Sequence, residues 1–260
     1  MVKMIATDLD GTFFRDDKTF NEEFYDIFEK LNARNIMFVI ATGNQYPLVR
    51  DKFHRIKDDI VYVVENGNKI VYKNQTLHTT TLTKIDKEYI LDILLSYHDI
   101  MILYCGVEHT YIHSRFKKNE DFIKTYYKEY IFIDDFKDIK EDIMKFSMAD
   151  FKGNPSIYVE QMKDKLLNHL QIVTTGHHWF DIFNKNVNKG TAMTFLQDYF
   201  HIDRSECMAF GDQMNDYDLL LSSEESYAMA NSIDELKHIA KHVAKSNQED
   251  GVIEVLKTLI

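Results

Sequence analysis

A chain of 260 residues with 45% hydrophobic and 28% charged side chains can bury a sizeable core, as one large domain or two modest ones, which excludes a disordered or membrane-embedded protein. Its 42 acidic against 31 basic residues leave a net charge of −11, which repels a phosphate backbone and argues against nucleic acid as a partner. No apolar run approaches the roughly 18 residues of a membrane-spanning helix, charge comes too early at the N-terminus for a signal peptide, and Cys105 and Cys207, each in an apolar stretch, read as buried reduced thiols; no membrane and a cytoplasmic location are expected.

Val2 to Thr7 is a short, mostly apolar run that predicts a buried strand ending at Asp8. Residues 21 to 34 set Phe24, Ile27, Phe28 and Leu31 at helical spacing behind Asn21, a candidate cap, and Ile36 to Ala41 predicts a second strand. A third, Ile60 to Val64, runs into Glu65-Asn66-Gly67, whose Asn-Gly pair predicts a tight turn into Lys69 to Tyr72. From about residue 83 to 182 the grammar changes to paired strands, such as Met101 to Gly106 and Thr110 to His113, then helix, strand, helix, strand. The first grammar then resumes, with a helix over Lys189 to Phe200, a strand over Cys207 to Phe210, a helix from Tyr217 and a short strand at Tyr227 to Met229. The expected fold class is α/β: a doubly wound, Rossmann-like parallel-sheet core from residues 1-82 and 183-260, interrupted by an inserted α+β domain over 83-182.

Asp8-Leu9-Asp10-Gly11-Thr12 stands where the first strand ends, at the carboxyl edge where open α/β sheets bind ligands. Side chains two apart on an extended chain share a side, about 6.6 Å apart, so Asp8 and Asp10 can face one phosphoryl group, one attacking while the other protonates the leaving oxygen. Gly11 permits a sharp turn there, and Leu9 can offer its main-chain N–H to a phosphate oxygen. The pentapeptide is equally readable, with less chemistry, as an acidic turn after a strand. A second acidic group, Gly211-Asp212-Gln213-Met214-Asn215-Asp216, also follows an apolar strand. If the two strands are neighbours, Asp8, Asp10, Asp212 and Asp216 converge, a crowd of like charges that calls for a cation; oxygen ligands alone favour magnesium over zinc. Taken singly, Asp212 or Asn215 is also an ordinary cap for the helix near Tyr217.

Thr42-Gly43 after the second strand can donate a hydroxyl and an N–H to phosphate oxygens, and Lys189 at a helix start can neutralise charge growing on the phosphoryl group. Each is weak alone, since a threonine often just ends a strand and a lysine often just begins a helix. His177-His178-Trp179 reads as a strand with one packed and one wet face rather than as a metal site.

Together, Asp8-Leu9-Asp10-Gly11-Thr12, Thr42-Gly43, Lys189-Gly190 and Gly211 to Asp216 resemble the four ordered motifs of the haloacid dehalogenase superfamily, over nearly the whole chain. Glu65-Asn66-Gly67, Phe180-Asp181-Ile182, Ala230-Asn231 and Glu249-Asp250-Gly251-Val252 add resemblance to its Cof-type branch. Asp8 to Thr42 is 34 residues, but Thr42 to Lys189 is 147, so the insert corresponds to a C2-type cap, the segment that would select the substrate. One departure is Asn44, where most Cof-type members carry an arginine; Gly43-Asn44-Gln45-Tyr46 and Cys105-Gly106 look most like the sugar-phosphatase subgroup, and Asn44 becomes a possible substrate contact.

The resemblance implies a magnesium-dependent phosphatase of small phosphorylated metabolites: sugar phosphates, flavin mononucleotide or similar monoesters. It implies that Asp8 attacks phosphorus to form an aspartyl-phosphate, while Asp10 acts as acid and then base. Magnesium would be held by Asp8, the Asp10 carbonyl and Asp212, with Gln213 and Asn215 orienting metal waters or phosphate and Asp216 fixing Lys189 or a metal-bound water. A sugar phosphomutase of the same superfamily would use the same two aspartates. A phospho-acceptor receiver gathers similar residues, but the large insert and Asp10 speak against it. Nothing in the sequence sets an oligomeric state.

Overall fold

In the computed structural model, which describes residues 1–175 and 177–260, the first apolar run forms β1 (Met4–Thr7), two residues shorter at its start than the run itself. It is followed by α1 (Glu23–Ala33), β2 (Met37–Ala41), α2 (Tyr46–Arg50), β3 (Val61–Val64), β4 (Lys69–Tyr72) and β5 (Gln75–Thr79). The middle of the chain forms α3 (Lys84–Leu95), β6 (Met101–Gly106), β7 (Thr110–His113), α4 (Glu120–Tyr126), β8 (Ile131–Ile133), β9 (Ile143–Ala149), α5 (Pro155–Met162), β10 (Leu170–Thr174) and β11 (Trp179–Asn184). The chain closes with α6 (Lys189–Phe200), β12 (Cys207–Gly211), α7 (Tyr217–Leu221), β13 (Glu225–Met229), α8 (Asp234–Ile239), β14 (His242–Ala244) and α9 (Gly251–Lys257). Among the described residues no helix is long and apolar enough to cross a membrane.

The chain divides into two compact units, Met1–His78 with Asn188–Ile260, and Thr79–Val187. The second break lies beyond residue 183 because β11 runs through Asn184 and pairs antiparallel with both β10 and β9. In the first unit the eight-stranded sheet has the order β14-β13-β12-β1-β2-β3-β4-β5. It is parallel from β14 to β3 and turns antiparallel at the β3-β4 hairpin. Both faces are covered, so its strands are apolar on both sides, as parallel strands must be. Ile5, Phe38 and Ile40 pack with Phe24, Phe28 and Leu31 of α1 and Ile253 of α9 on one face; Met4, Ala6, Val39 and Ala41 pack with Met193 and Leu196 of α6 and Leu219 of α7 on the other. At the start of α1, Asn21 Oδ1 accepts the Glu23 N–H, but the cap position itself is Glu22, whose side chain makes no capping bond.

The second unit carries a six-stranded sheet of order β10-β11-β9-β6-β7-β8, antiparallel apart from the β7-β8 pair. Helix α3 starts at a capping box in which Thr83 and Asp86 bond reciprocally, and its Ile90 and Leu94 pack with Ile102, Phe146 and Phe180 on one sheet face. His177 and His178 precede β11 instead of extending it; His178 Nδ1 meets the Asp150 carbonyl at 2.9 Å.

Candidate active site

Strands β1 and β12 are parallel neighbours, in register from Met4 opposite Cys207 to Thr7 opposite Phe210, and the Asp8 N–H continues the ladder to the Phe210 carbonyl at 3.1 Å. Asp8 and Asp212 therefore leave the sheet side by side at its carboxyl edge. Their surroundings are set by α6, whose first residue, Lys189, is fully buried and donates to Asp8 Oδ1 and Asp216 Oδ1, both at 2.6 Å. Asn188 caps α6 in a reciprocal box with Thr191, which aims Lys189 inward from the first turn. Gly190 lets that helix approach α7, since a Cβ there would stand 2.5 Å from the backbone of Asp218.

Asp216 is fully buried and divided between two duties. One oxygen binds Lys189, and the other accepts the N–H groups of Asp212 and Gln213 at 3.0 and 3.2 Å. Asp212 in turn accepts the Thr12 hydroxyl at 2.8 Å and the Gln213 side-chain amide at 3.3 Å. Gly11, at φ +84°, is required here because a Cβ would overlap the Asp212 carboxylate. Neither Asp212 nor Asn215 caps α7; the cap position is Asp216, and its carboxylate is spent on the loop before it.

Carboxylate oxygens of Asp8, Asp212 and Asp216 lie within 4.8 Å of one another, against the single ammonium of Lys189. The electrostatics follow from that imbalance. Burial pushes the Asp8 carboxyl well above its ordinary value, the charge of Lys189 pulls it back, and Asp216 and Asp212 push it up again. Burial likewise raises Asp212, opposed by the Thr12 hydrogen bond and reinforced by Asp216. Burial alone would lower the Lys189 pKa, but the charges of Asp216 and Asp8 prevail and hold it above the ordinary lysine range. A buried, oxygen-only cluster with surplus negative charge fits a hard divalent cation, with Asp8 and Asp212 as the carboxylates not already spent on the backbone.

Thr42 follows β2 and is buried, with its N–H on the Val63 carbonyl at 2.9 Å. Its hydroxyl accepts the Asn44 N–H at 3.2 Å, and its carbonyl accepts the Asn66 N–H at 3.0 Å. Asn66, at φ +55°, links the neighbouring pieces: its Oδ1 accepts from the Asn215 amide at 3.2 Å, and its amide lies 3.2 Å from where a Cβ on Gly43 would stand. Gly67, at φ +101°, lies against the Asn188 carbonyl just before Lys189. Sequence reasoning gave Glu65-Asn66-Gly67 no such linking part; its signals there were the Asn-Gly turn and the family resemblance, and the linking depends on the left-handed backbone of Glu65 and Asn66. Leu9 is fully buried between the two aspartates.

The Asp10 side chain lies outside the Lys189 cluster. Its Oδ2 accepts the Asn44 side-chain amide at 2.8 Å and its Oδ1 accepts the Lys18 ammonium at 2.8 Å. The Asn44 amide nitrogen is thus spent on Asp10. Lys18 went unnoticed in the sequence because a lone lysine in a polar turn carries no pattern.

Residues 5–256 match the haloacid dehalogenase-like hydrolase family. The chain belongs to that family. It is 31% identical, over 100% of its length and 96% of the relative's, to a 5-amino-6-(5-phospho-D-ribitylamino)uracil phosphatase of Escherichia coli (strain K12). A phosphatase of Bacillus subtilis (strain 168) named for the same compound is 26% identical over 98% of this chain and 96% of its own. Among solved structures, a protein of Streptococcus mutans UA159 superposes with TM-score 0.88 at 28% identity, covering 100% of this chain and 99% of that one. One from Thermotoga maritima shares the fold, with TM-score 0.87 at 20% identity over 99% and 97%. This haloacid dehalogenase-type chain is an enzyme, a phosphatase of phosphate monoesters.

Proposed function

We propose that the enzyme hydrolyses small phosphorylated metabolites through an aspartyl-phosphate on Asp8, with magnesium held by Asp8, Asp212 and the Asp10 carbonyl. The observation that carries the reading is the buried Lys189, bonded at 2.6 Å to both Asp8 and Asp216, beside an Asp212 tied to Thr12. Magnesium bound there would supply positive charge against the phosphoryl oxygens.

Asp8 attacks phosphorus in line, forming the Asp8–phosphorus bond as the ester P–O bond breaks with its electron pair on the departing oxygen. Asp10 gives that oxygen its proton, then takes one from the water whose oxygen displaces Asp8 from phosphorus. Lys189 neutralises charge on the phosphoryl group and favours the ionised, attacking form of Asp8 against the burial that opposes it. Asp216 holds Lys189 and the Asp212 loop in place. The N–H groups of Leu9 and Gly43, the Thr42 hydroxyl and the Asn215 amide are the donors for phosphate oxygens, and Gln213 orients Asp212.

The Thr79–Val187 unit contains none of these residues, and we assign to it the choice of leaving group. The names of the Escherichia coli and Bacillus subtilis relatives make 5-amino-6-(5-phospho-D-ribitylamino)uracil the first candidate substrate, ahead of sugar phosphates and flavin mononucleotide. The test is kcat/KM on a panel of these compounds, pyridoxal phosphate and nucleotides, with magnesium and with excess chelator. Preference for a phosphorylated ribityl or sugar compound, lost on chelation, supports the reading. Absence of turnover on every monoester, or full activity in chelator, overturns it.

A further inference from the structure

We propose that Lys18 and Asn44 are positioning residues for Asp10, one on each carboxylate oxygen, and that together they set how well Asp10 protonates a poor leaving group. The inference rests on the reading of Asp10 as acid and base given above.

Both donors stand at 2.8 Å, Lys18 Nζ on Oδ1 and Asn44 Nδ2 on Oδ2, so the plane and direction of the carboxylate are fixed by two side chains outside the Lys189 cluster. Asn44 is itself held at both ends of its backbone. Its N–H is on the Thr42 hydroxyl at 3.2 Å, and its carbonyl accepts the Glu65 N–H at 3.2 Å. The donor from the Thr42-Gly43-Asn44 loop is thus a short neutral amide, and the cation touching Asp10 comes from Lys18.

Lys18 sits at φ +64°, a left-handed backbone that a lysine adopts only when its surroundings impose it. They do so here through a turn closed by Arg15 N–H on the Thr19 carbonyl and Lys18 N–H on the Arg15 carbonyl, both at 2.9 Å. Arg15 is gripped by both oxygens of Asp250, at 3.0 and 2.6 Å. Asp16 and the Phe14 carbonyl both accept from the Asn247 amide at 3.0 Å. The Asn247 N–H reaches Asn231 at 3.1 Å, and Asn231 reaches the Gly11 carbonyl at 2.8 Å. Asn247 and Asp250 are assigned no part in phosphoryl transfer; in the fold they hold Phe14, Arg15 and Asp16, the segment that leads into the turn carrying Lys18. Such bracing adds little through the solvent-exposed Lys18–Asp10 pair itself, because exposed ion pairs contribute little stability. It matters if the direction of the Asp10 carboxyl matters.

That direction matters most when the departing oxygen needs a proton. An alkoxide leaves poorly without one, whereas para-nitrophenolate leaves without help, so a misplaced acid penalises an alkyl ester more than an aryl ester. A merely structural defect lowers both alike.

The experiment measures kcat/KM of the magnesium-loaded enzyme for the best alkyl monoester of the substrate panel and for para-nitrophenyl phosphate. In Lys18→Met and in Asn44→Ala the alkyl-to-aryl ratio should fall about 10-fold, and Lys18→Arg should restore most of it. An unchanged ratio in Lys18→Met, whose side chain is exposed and whose loss does not threaten folding, overturns the inference. Asp10→Asn separates the two levels: if it also leaves the ratio unchanged, the assignment of Asp10 fails; if it collapses the ratio while Lys18→Met does not, only the positioning inference fails.

Discussion

Replacing Lys189 by Met is the sharpest perturbation of the site, because the side chain is fully buried and its ammonium bridges Asp8 and Asp216. Methionine fills a similar volume, so the loss is one of charge. Breaking a buried pair costs about 3–5 kcal/mol, since the partners stay buried and uncompensated. Protonation caps that cost. Taking up a proton at pH 7 on a carboxyl of ordinary pKa about 3.9 requires about 3 units at 1.36 kcal/mol each, or about 4 kcal/mol. The two routes agree on about 3–4 kcal/mol, and a unit of this size loses about 2–4 °C in Tm per kcal/mol, so Lys189→Met should melt roughly 6–16 °C below the wild type at pH 7 in chelator. The sign with pH follows. The folded variant holds a proton that the unfolded chain lacks at neutral pH, so its stability falls as pH rises and recovers by about 1.4 kcal/mol per unit on acidification. The assay is a set of thermal melts from pH 5 to 7.5, with chelator and with magnesium, together with kcat, which should drop by about 10²–10³. The variant should approach the wild type toward pH 5, and magnesium should raise its Tm more than that of the wild type. A Tm within about 2 °C of the wild type at pH 7, or a deficit that widens on acidification, would refute the reasoning.

Asp8→Asn should lose turnover by several orders of magnitude and form no covalent phosphoenzyme, whereas Asp10→Asn should still be phosphorylated by an aryl phosphate and release phosphate slowly, read by acid quench. Excess chelator should abolish steady-state turnover and added magnesium restore it; full activity in chelator would exclude the metal. Gly190→Ala, whose Cβ would stand 2.5 Å from the Asp218 backbone, should cost about 1–3 kcal/mol in a denaturant melt by driving α6 off α7. Asp86 is buried, which alone raises a carboxyl, but hydrogen bonds from Thr83 and His169 prevail and hold it below its ordinary value. Its contribution is therefore present above the unfolded pKa of about 3.9 and lost as pH falls through the folded value. Asp86→Asn should lower Tm at pH 6 and converge with the wild type near pH 3.

The strands that position the site were readable because each is a short, unbroken apolar run ending at a polar motif: Met4–Thr7 before Asp8, Met37–Ala41 before Thr42, Cys207–Gly211 before Asp212. A strand buried on both faces has no other way to look. Spacing led to the expectation of an insert over 83-182; strand β11 runs past that edge to Asn184, which pairs with Leu170 of β10, and a polar strand end carries no apolar signal. Strands β5, β8 and β14 escaped notice because they are short or half-buried and lack that signature.

Within the site, the chemistry of Asp8, Lys189 and Asp212 is local to their motifs and can be read from them. The contacts that arrange them are not local. Asn66 joins Thr42 to Asn215 only through a left-handed backbone, Asp216 serves Lys189 and two N–H groups at once, and Lys18 meets Asp10 only because a turn is pinned from more than two hundred residues away by Asp250. Asparagines and a lone lysine in loops carry no periodicity, so their partners appear only when the chain is folded.

The central claim is that Asp8 is the nucleophile. It is tested most directly by quenching the magnesium-loaded wild type in acid during turnover of a phosphate-labelled monoester and locating the label by peptide mapping. The account predicts an acid-stable, hydroxylamine-labile phosphate on the peptide containing Asp8, absent from Asp8→Asn. Covalent phosphate on any other residue, or on the Asp8→Asn protein, would contradict it.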